Sequence, residues 1–304
     1  MTSPRISFIV PTKDRPRELR RMLRSLGGQT RLPDQVVVVD GSSTALTEAF
    51  FRESGLPVEH LRVLPPSASR QRNRGLAAVP SEFGLVGFVD DDVVFEPGSV
   101  EAMMDFWAQA GADVGGAAFN MVNHPSLDFG RWKRTRLVER LGLYSRKRGA
   151  VAASGFQSLV GCVAETVFVD WLSTGAVVWR RRVFDRHRFD EWFGGYSYLE
   201  DLDFSYRVGK EYRLAVVAPA RYRHLQASEG RGRDYAFGRR EAFNRMHFVA
   251  KHPELSRSAC LLALAVRFGL SLSGVIRNGR PAFALRALGN LIGVVEGLVG
   301  GGRA

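Results

Sequence analysis

The first hundred residues alternate short apolar runs with segments of helical spacing, and this alternation restricts the fold more than any other feature. Runs rich in Val and Ile are typical of strands that are buried on both faces. Such runs cover Ile6–Val10, Gln35–Val39, Val58–Val63 and Leu85–Val89. Helical segments are predicted between them, at Arg17–Leu26, Thr47–Glu53 and Arg70–Ala78. Strands connected through helices pair in parallel, so the sequence predicts an α/β fold around a mostly parallel sheet flanked by helices.

The rest of the chain has a less regular pattern, followed by a change of composition near the C-terminus. We expect helices at Val100–Ala110 and Leu199–Val208 and strands within Ala112–Val122, Val177–Phe184 and Leu214–Val217. From about Ser256 the composition shifts to Leu, Ala, Val and Gly. We therefore predict one domain over 1–250, with halves 1–98 and 99–250, and a separate helical region over 251–304.

The charge balance is strongly basic, with a net charge of +12 from 43 basic and 31 acidic residues. This excess indicates an anionic partner, such as nucleotide phosphates, a membrane surface or nucleic acid. Because the arginines are spread along the chain and no nucleic-acid-binding module is recognised, we expect no nucleic acid partner. The residues before the first strand are too few for a secretory signal, which favours the cytoplasm or the inner face of the cell membrane.

Three adjacent carboxylates, Asp90, Asp91 and Asp92, follow the predicted strand Leu85–Val89. They are expected at the carboxyl edge of the sheet, where open α/β sheets bind ligands. Three neighbouring acids repel one another unless a cation or a hydrogen-bond donor compensates them. A hard divalent ion takes oxygen ligands and commonly bridges to phosphates. A solvated turn is the alternative interpretation of the triplet.

Two other segments place polar residues where they could contact a nucleotide. Asp40 follows the second strand and could bind a base or ribose, although an Asx turn with the next residues is an equally ordinary role. Arg70, Arg72 and Arg74 alternate near a predicted helix start. They suit an anion-binding helix terminus, while a solvated basic face is the commoner meaning of such a pattern.

In their order along the chain, the motifs resemble the inverting family 2 glycosyltransferases, which have the GT-A fold. The resemblance covers roughly residues 5 to 230. The motifs of the nucleotide half are Ser7 to Thr12, Val38 to Ser43, Arg70 to Gly75 and Phe88 to Asp92. Those of the acceptor half are Asp170 to Ala176, Phe189 to Phe193 and Leu199 to Asp203.

The resemblance implies a role for each matching residue of the nucleotide half. The residues that would hold the nucleotide sugar are Pro11, Thr12, Arg15, Asp40, Arg70, Asn73, Asp90 and Asp91. Asp92 would be the direct ligand of Mn²⁺ or Mg²⁺, and His224 would complete the metal site. A surface position is the alternative for His224, which has arginines on its N-terminal side.

In the acceptor half, the resemblance assigns the general base to Asp201. Glu200 would orient that base or bind the acceptor. Acids at a helix N-terminus also stabilise the helix by about 0.3–1 kcal/mol each, which is the alternative role of this pair. Trp171 and Gly175 would belong to the acceptor cleft, although a tryptophan is equally suited to the core.

Two C-terminal segments, Ala259–Ile276 and Ala282–Val299, are apolar for most of their length. Arg267 lies near the middle of the first, and a central Arg costs roughly 2.5–3.5 kcal/mol on insertion. Spanning is therefore disfavoured, and two alternatives stay open: helices at the membrane interface, or a tail packed on the catalytic domain or on a partner chain. The basic stretch Arg131–Arg148 favours the membrane.

The sequence therefore predicts a metal-assisted, inverting hexosyl- or deoxyhexosyltransferase with peripheral membrane contact. Its donor would be a UDP-, dTDP- or GDP-linked sugar, and its acceptor a glycan or a polyprenyl-linked sugar. Two alternatives differ in class: a non-catalytic membrane-associated scaffold of the same fold, and a sugar-phosphate nucleotidyltransferase. The second should carry a Gly-rich loop after the first strand, which the segment Pro11–Arg15 lacks.

Overall fold

A computed structural model describes residues 4–124, 135–194, 197–225, 234–278 and 281–300. Contacts within the chain divide it into two compact units. The first unit comprises Met1–Ser126 with Val160–Ala227, and the second comprises Leu127–Leu159 with Ser228–Ala304. These units do not coincide with the division at residue 250, which stays a prediction about functional domains.

The first unit is built on a nine-stranded sheet within the described residues. The strands are β1 (Ile6–Thr12), β2 (Gln35–Asp40), β3 (Val58–Arg62), β4 (Leu85–Val89), β5 (Val93–Phe95), β6 (Val114–Met121), β7 (Val167–Val169), β8 (Ala176–Arg180) and β9 (Arg213–His224). Their order is β3-β2-β1-β4-β8-β6-β9-β5, with β7 paired to β9. The first four strands pair in parallel, as does β6 with β9. The other pairings are antiparallel, so the sheet is mixed.

Helices cover both faces of this sheet. They are α1 (Pro16–Gly27), α2 (Glu48–Arg52), α3 (Ala68–Ala78), α4 (Ser99–Gln109) and, after a short 3-10 helix at Arg181–Asp185, α6 (Glu200–Gly209). Side chains alternate across each strand, so Phe8 packs with the buried faces of α1 and α4. Ile9 packs on the opposite side with side chains of α3 and α6. The core is therefore two apolar layers, one on each face.

The expected α/β fold is confirmed, with local differences in the strands. The predicted strand Val177–Phe184 ends at Arg180, where the 3-10 helix begins. The predicted strand Leu214–Val217 belongs to a longer strand, Arg213–His224. Its extension past Pro219 brings His224 to the polar edge of the sheet, where it pairs with Val93 of β5. Short strands such as β5 carry too few residues for a recognisable pattern.

The second unit is helical. Its described helices are α5 (Arg136–Arg140), α7 (Asp234–Lys251), α8 (Arg257–Asn278) and α9 (Pro281–Gly300). Of the basic stretch Arg131–Arg148, residues 131–134 lie outside the described residues. Buried Arg245 of α7 donates a 2.7 Å hydrogen bond to Gln157 Oε1 and another to the carbonyl oxygen of Gly155. By length and composition alone, helices α8 and α9 are long and apolar enough to cross a membrane. In each helix, 22% of the apolar segment is buried.

Candidate active site

Four strand ends meet at one polar edge of the sheet. Thr12 ends β1 and Asp40 ends β2, and the acidic triplet directly follows β4. Parallel strands present their carboxyl ends on the same edge, which explains why residues far apart in sequence converge there. His224 reaches the same place at the end of β9 because β5, directly after the triplet, pairs with it.

Asp90, Asp92 and His224 form a cluster with the geometry of a metal site. One ligand atom from each residue lies within 4.8 Å of the other two. His224 Nε2 is 2.8 Å from Asp92 Oδ1. Two backbone hydrogen bonds fix the cluster, from the Asp90 N–H to the Gly175 carbonyl oxygen and from the Leu225 N–H to the Asp92 carbonyl oxygen, each 2.9 Å long. Two carboxylates and an imidazole suit Mn²⁺, and the carboxylates also suit Mg²⁺.

Asp91 points to different partners from its two neighbours. Its carboxylate accepts a 2.7 Å hydrogen bond from Thr12 Oγ1 and a 3.0 Å hydrogen bond from Arg15 Nη1. Arg15 Nη1 is also 3.4 Å from Asp92 Oδ2. Burial raises the pKa of Asp91 to about 6, although Thr12 and Arg15 act against that rise. The side chains of Thr12 and Arg15 therefore hold the triplet in place, and their contact with a nucleoside stays a prediction.

Asp40 is fully buried and is held in an Asx turn. Its Oδ1 accepts a 2.8 Å hydrogen bond from the N–H of Ser42, the turn considered as the alternative role. Its Oδ2 lies 3.3 Å from Nε2 of His60, a residue that no sequence motif indicated. Burial acts to raise the pKa of Asp40, but the hydrogen bonds from Ser42, Leu46 and His60 hold it below its ordinary value. Neighbouring Pro11 pairs with Val39 of β2.

Arg72 is a functional candidate that the motif around it did not single out. Its buried guanidinium donates 2.7 Å from Nη1 to Glu200 Oε1 and 3.2 Å from Nη2 to Asp90 Oδ1. The signal was its helix face, because Arg72 shares the buried side of α3 with Gly75 and Leu76. Residues three and four apart lie on one face of a helix.

The two residues that were selected from this motif contact another segment of the first unit. Asn73 Nδ2 donates 2.9 Å to the carbonyl oxygen of Phe189, and Asn73 Oδ1 accepts from the Phe189 N–H. Arg70 Nε lies 3.4 Å from Glu191 Oε2, and Asn73 also donates to Glu191. Both side chains therefore attach α3 to the segment that precedes α6, and their nucleoside contacts stay predictions.

Glu200 and Asp201 occupy the first turn of α6. Leu199, directly before them, has a left-handed backbone with φ of 76°. The Asp201 carboxylate accepts a 2.8 Å hydrogen bond from the N–H of Leu202. Burial raises the pKa of Glu200 to about 8, despite the nearby charge of Arg72. The pKa of Asp201 is also raised, first by burial and further by the charge of Asp90. Asp201 therefore interacts electrostatically with the cluster of Asp90, Asp92 and His224.

Trp171 and Gly175 are the two residues predicted for the acceptor cleft. Gly175 contributes the carbonyl oxygen that holds Asp90. A methyl group at Gly175 would come 3.0 Å from the Tyr222 hydroxyl and 3.7 Å from His224 Nδ1. Trp171 is buried with 6% of its surface exposed, as in the core alternative. The acceptor roles of Trp171 and Gly175 stay predictions.

Comparisons with known sequences give a family match and a similar protein. Residues 7–162 match the family model described as glycosyl transferase family 2. The chain is 28% identical over 242 residues to N-acetylglucosaminyl-diphospho-decaprenol L-rhamnosyltransferase of Mycobacterium tuberculosis, covering 72% of this chain and 75% of that protein.

Two solved structures align with most of the chain. A Pyrobaculum calidifontis mannosyltransferase in complex with GDP-Man and Mn²⁺ aligns with a TM-score of 0.57 and 14% identity, over 98% of this chain and 88% of that one. S. aureus TarS 1–349 in complex with UDP-GlcNAc aligns with a TM-score of 0.52 and 17% identity, over 97% and 92% of the two chains. These likenesses confirm the GT-A fold that the sequence predicted.

Proposed function

This chain belongs to glycosyl transferase family 2, and we propose that it is an inverting enzyme that moves a sugar from a nucleotide-diphosphate donor to an acceptor hydroxyl. The observation that carries the proposal is the cluster of Asp90, Asp92 and His224 next to buried Arg72 and the Glu200–Asp201 pair. Donor-side and acceptor-side acids are thereby joined through one guanidinium. A transferase needs these two functions at a single centre, because the leaving group departs as the acceptor attacks.

The donor side would hold the nucleotide diphosphate through the metal cluster and the strand ends around it. Asp92 and His224 would ligate Mn²⁺ or Mg²⁺ together with Asp90, whose side chain is 31% exposed and so accessible to a ligand. A bound divalent ion would neutralise the charge that develops on the leaving nucleoside diphosphate. Arg15, 24% exposed beside Asp91 and Asp92, would add a fixed positive charge on the same side.

The acceptor side would depend on Asp201 as the general base. Its raised pKa increases its affinity for a proton, as a base that accepts one from a sugar hydroxyl requires. The oxygen so activated attacks the anomeric carbon on the face opposite the leaving group, which inverts the configuration. Glu200 accepts a 2.7 Å hydrogen bond from Arg72 Nη1, so it would orient Asp201 or bind the acceptor.

The mycobacterial relative suggests the class of acceptor and sugar. Its name describes transfer of L-rhamnose to a sugar carried on a decaprenyl diphosphate. We therefore propose a polyprenyl-linked sugar as acceptor and a deoxyhexose as the first sugar to test, at the inner face of the cell membrane. A hexosyl donor such as a UDP- or GDP-sugar is the next candidate.

Thermal-shift titration with UDP, dTDP and GDP, each with and without Mn²⁺, tests the donor site. A ligand that binds only the native state raises the melting temperature by mass action. We expect a metal-dependent rise with one nucleotide, which Asp92→Ala abolishes. Asp105→Ala, at an exposed position of α4, is the matched control and should keep the rise. If no nucleotide raised the melting temperature, the non-catalytic scaffold would be favoured over the glycosyltransferase.

Product analysis separates the two enzyme classes. A glycosyltransferase releases a nucleoside diphosphate when donor and acceptor are both present. A nucleotidyltransferase releases pyrophosphate from a nucleoside triphosphate and a sugar phosphate. We expect the first product, with an inverted anomeric signal in the NMR spectrum of the glycoside.

A further inference from the structure

We propose that α8 and α9 form a docking surface that binds an anionic lipid bilayer through its outward apolar face. This surface lies in the second unit alone, and its role does not depend on the proposed reaction. Lipid binding would decide between the two alternatives that the sequence left open for the C-terminal helices.

The charges inside these two helices are directed towards α7. Arg267 of α8 and Arg286 of α9 both pair with Glu241 of α7, at 2.7 Å and 3.1 Å. Glu296 of α9 pairs with Arg239 of α7 at 2.7 Å. Glu241 is 2% exposed, and the charges of Arg267 and Arg286 hold its pKa below the ordinary value although burial acts to raise it. The cost of placing Arg267 in an apolar environment is therefore compensated by its ion pair with Glu241.

The opposite face of each helix is apolar and exposed. On α9 the exposed residues follow helical spacing and lie on one side: Leu285, Leu288, Leu291, Val295 and Leu298, with exposed fractions between 48% and 60%. On α8 the large exposed side chains are Leu262, Leu270, Leu272 and Ile276, the last 87% exposed. An outward apolar face with inward charges is the reverse of the usual arrangement in water, where the charged face is exposed.

The contact between α7 and α9 allows this arrangement because their backbones approach closely. A methyl group at Gly289 would overlap the carbonyl oxygen of Tyr235, and one at Gly293 would overlap that of Arg239. A methyl group at Gly297 would come 2.7 Å from Met246 Sδ. Small residues spaced four apart are typical of helix contacts in membranes, where packing rather than burial of leucines holds helices together. The leucines of α9 are thereby left free for lipid.

Exposed basic residues of the second unit suit an anionic membrane. Arg257 and Arg277 are exposed at the two ends of α8. In the same unit, α5 and the residues after it expose Arg140, Arg146, Lys147 and Arg148 close in sequence to the exposed Leu137 and Leu141. Each such cation is attracted to the negative surface potential of an anionic leaflet. A second copy of this chain would bring the same positive charges, so lipid is the occupant that the charge favours.

Vesicle flotation of the full chain tests the proposal. We expect flotation with vesicles of phosphatidylcholine and phosphatidylglycerol, and retention at about 1 M NaCl, where exposed charges are screened beyond about 3 Å. The variant Leu288→Glu/Leu291→Glu should bind at least about tenfold more weakly, a loss of about 1.4 kcal/mol. Leu32→Glu is the matched control, since Leu32 is 43% exposed in the first unit, and should bind as the wild type does.

Three results would overturn the proposal. These are absence of flotation, full release by salt, and equal binding of the double variant. Light scattering tests the other possible occupant, a second copy of the chain. A dimer that forms in the wild type but not in the double variant, together with no flotation, would assign the face to self-association. Melting curves establish that the variants fold, and Leu291→Trp gives a second readout. Its fluorescence should be quenched by brominated lipid, whereas that of Leu32→Trp should not be quenched.

Discussion

Arg72 and Glu200, 128 residues apart in the chain, are joined by a 2.7 Å hydrogen bond from Nη1 to Oε1. The other terminal nitrogen of Arg72 binds Asp90 Oδ1 at 3.2 Å. The guanidinium also lies over the ring of Phe189, 5.4 Å from its centroid. One buried cation thus fixes the distance between the first acid of the triplet and the acidic pair on α6.

Replacing Arg72 should destabilise the first unit strongly. Arg72→Met leaves Asp90 and Glu200 without their shared partner, and removing one member of a buried ion pair costs about 3–5 kcal/mol. Urea unfolding above pH 8, where Glu200 is ionised, measures this loss. The control is Arg52→Met, which removes an exposed pair with Glu48 worth about 0.5 kcal/mol or less. Equal effects of the two substitutions would show that Arg72 does not stabilise the acids.

Glu200 should make stability depend on pH in a defined direction. Its pKa rises from an ordinary value of 4.5 to about 8 in the folded chain. A raised folded pKa gives stability that is fully present below pH 4.5 and is lost as the pH rises to about 8. Glu200→Gln lacks this loss. The melting temperature of the variant minus that of the wild type should therefore increase from pH 4.5 to about 8 and stay constant above pH 8. Melting curves at several pH values measure the difference, and a gap that does not widen would contradict the assignment.

Asp201→Asn should remove activity while leaving the donor site intact. Loss of a general base typically lowers the rate about 10²–10⁴-fold. The nucleotide-dependent thermal shift should persist, because Asp201 is not a member of the Asp90, Asp92 and His224 cluster. Asp105→Asn is the control for loss of a charge on a helix. Full activity of Asp201→Asn would exclude Asp201 as the base.

The sequence predicted the edge of the sheet well, because acids after parallel strands must converge. Asp90 and Asp92, which follow β4, lie together with His224, which ends β9, and their roles as metal ligands stay predictions. It did not predict that Arg72 lies between Asp90 and Glu200. A helical arginine looks like a surface residue until the fold brings two distant carboxylates to its buried face. His60 was missed for the same reason, since its contact with Asp40 depends on the pairing of β2 with β3.

The C-terminal helices illustrate the limit of arguments from local composition. Residue by residue, Arg267 is a penalty in an apolar segment. In the structure the insertion cost of Arg267 is offset by an ion pair with Glu241, which lies on α7 and also pairs with Arg286. Pairing across helices depends on the angle and separation of the axes. Between α7 and α9 the separation depends on close contacts at Gly289, Gly293 and Gly297, which a composition shift does not reveal.

Substitution of the α9 glycines should therefore separate the packing of this helix from its composition. Gly293→Ala adds a methyl group that would overlap the carbonyl oxygen of Arg239 on α7. Because backbone cannot move aside as a side chain can, α7 and α9 must part, and overpacking of this kind costs about 1–3 kcal/mol. Gly269→Ala on α8 is the matched control, since nothing lies within 4 Å of the added methyl group. That control should stabilise its helix by about 0.5–1 kcal/mol. Thermal unfolding of both variants measures the contrast, and a Gly293→Ala protein as stable as the Gly269→Ala protein would rule out a close α7–α9 contact.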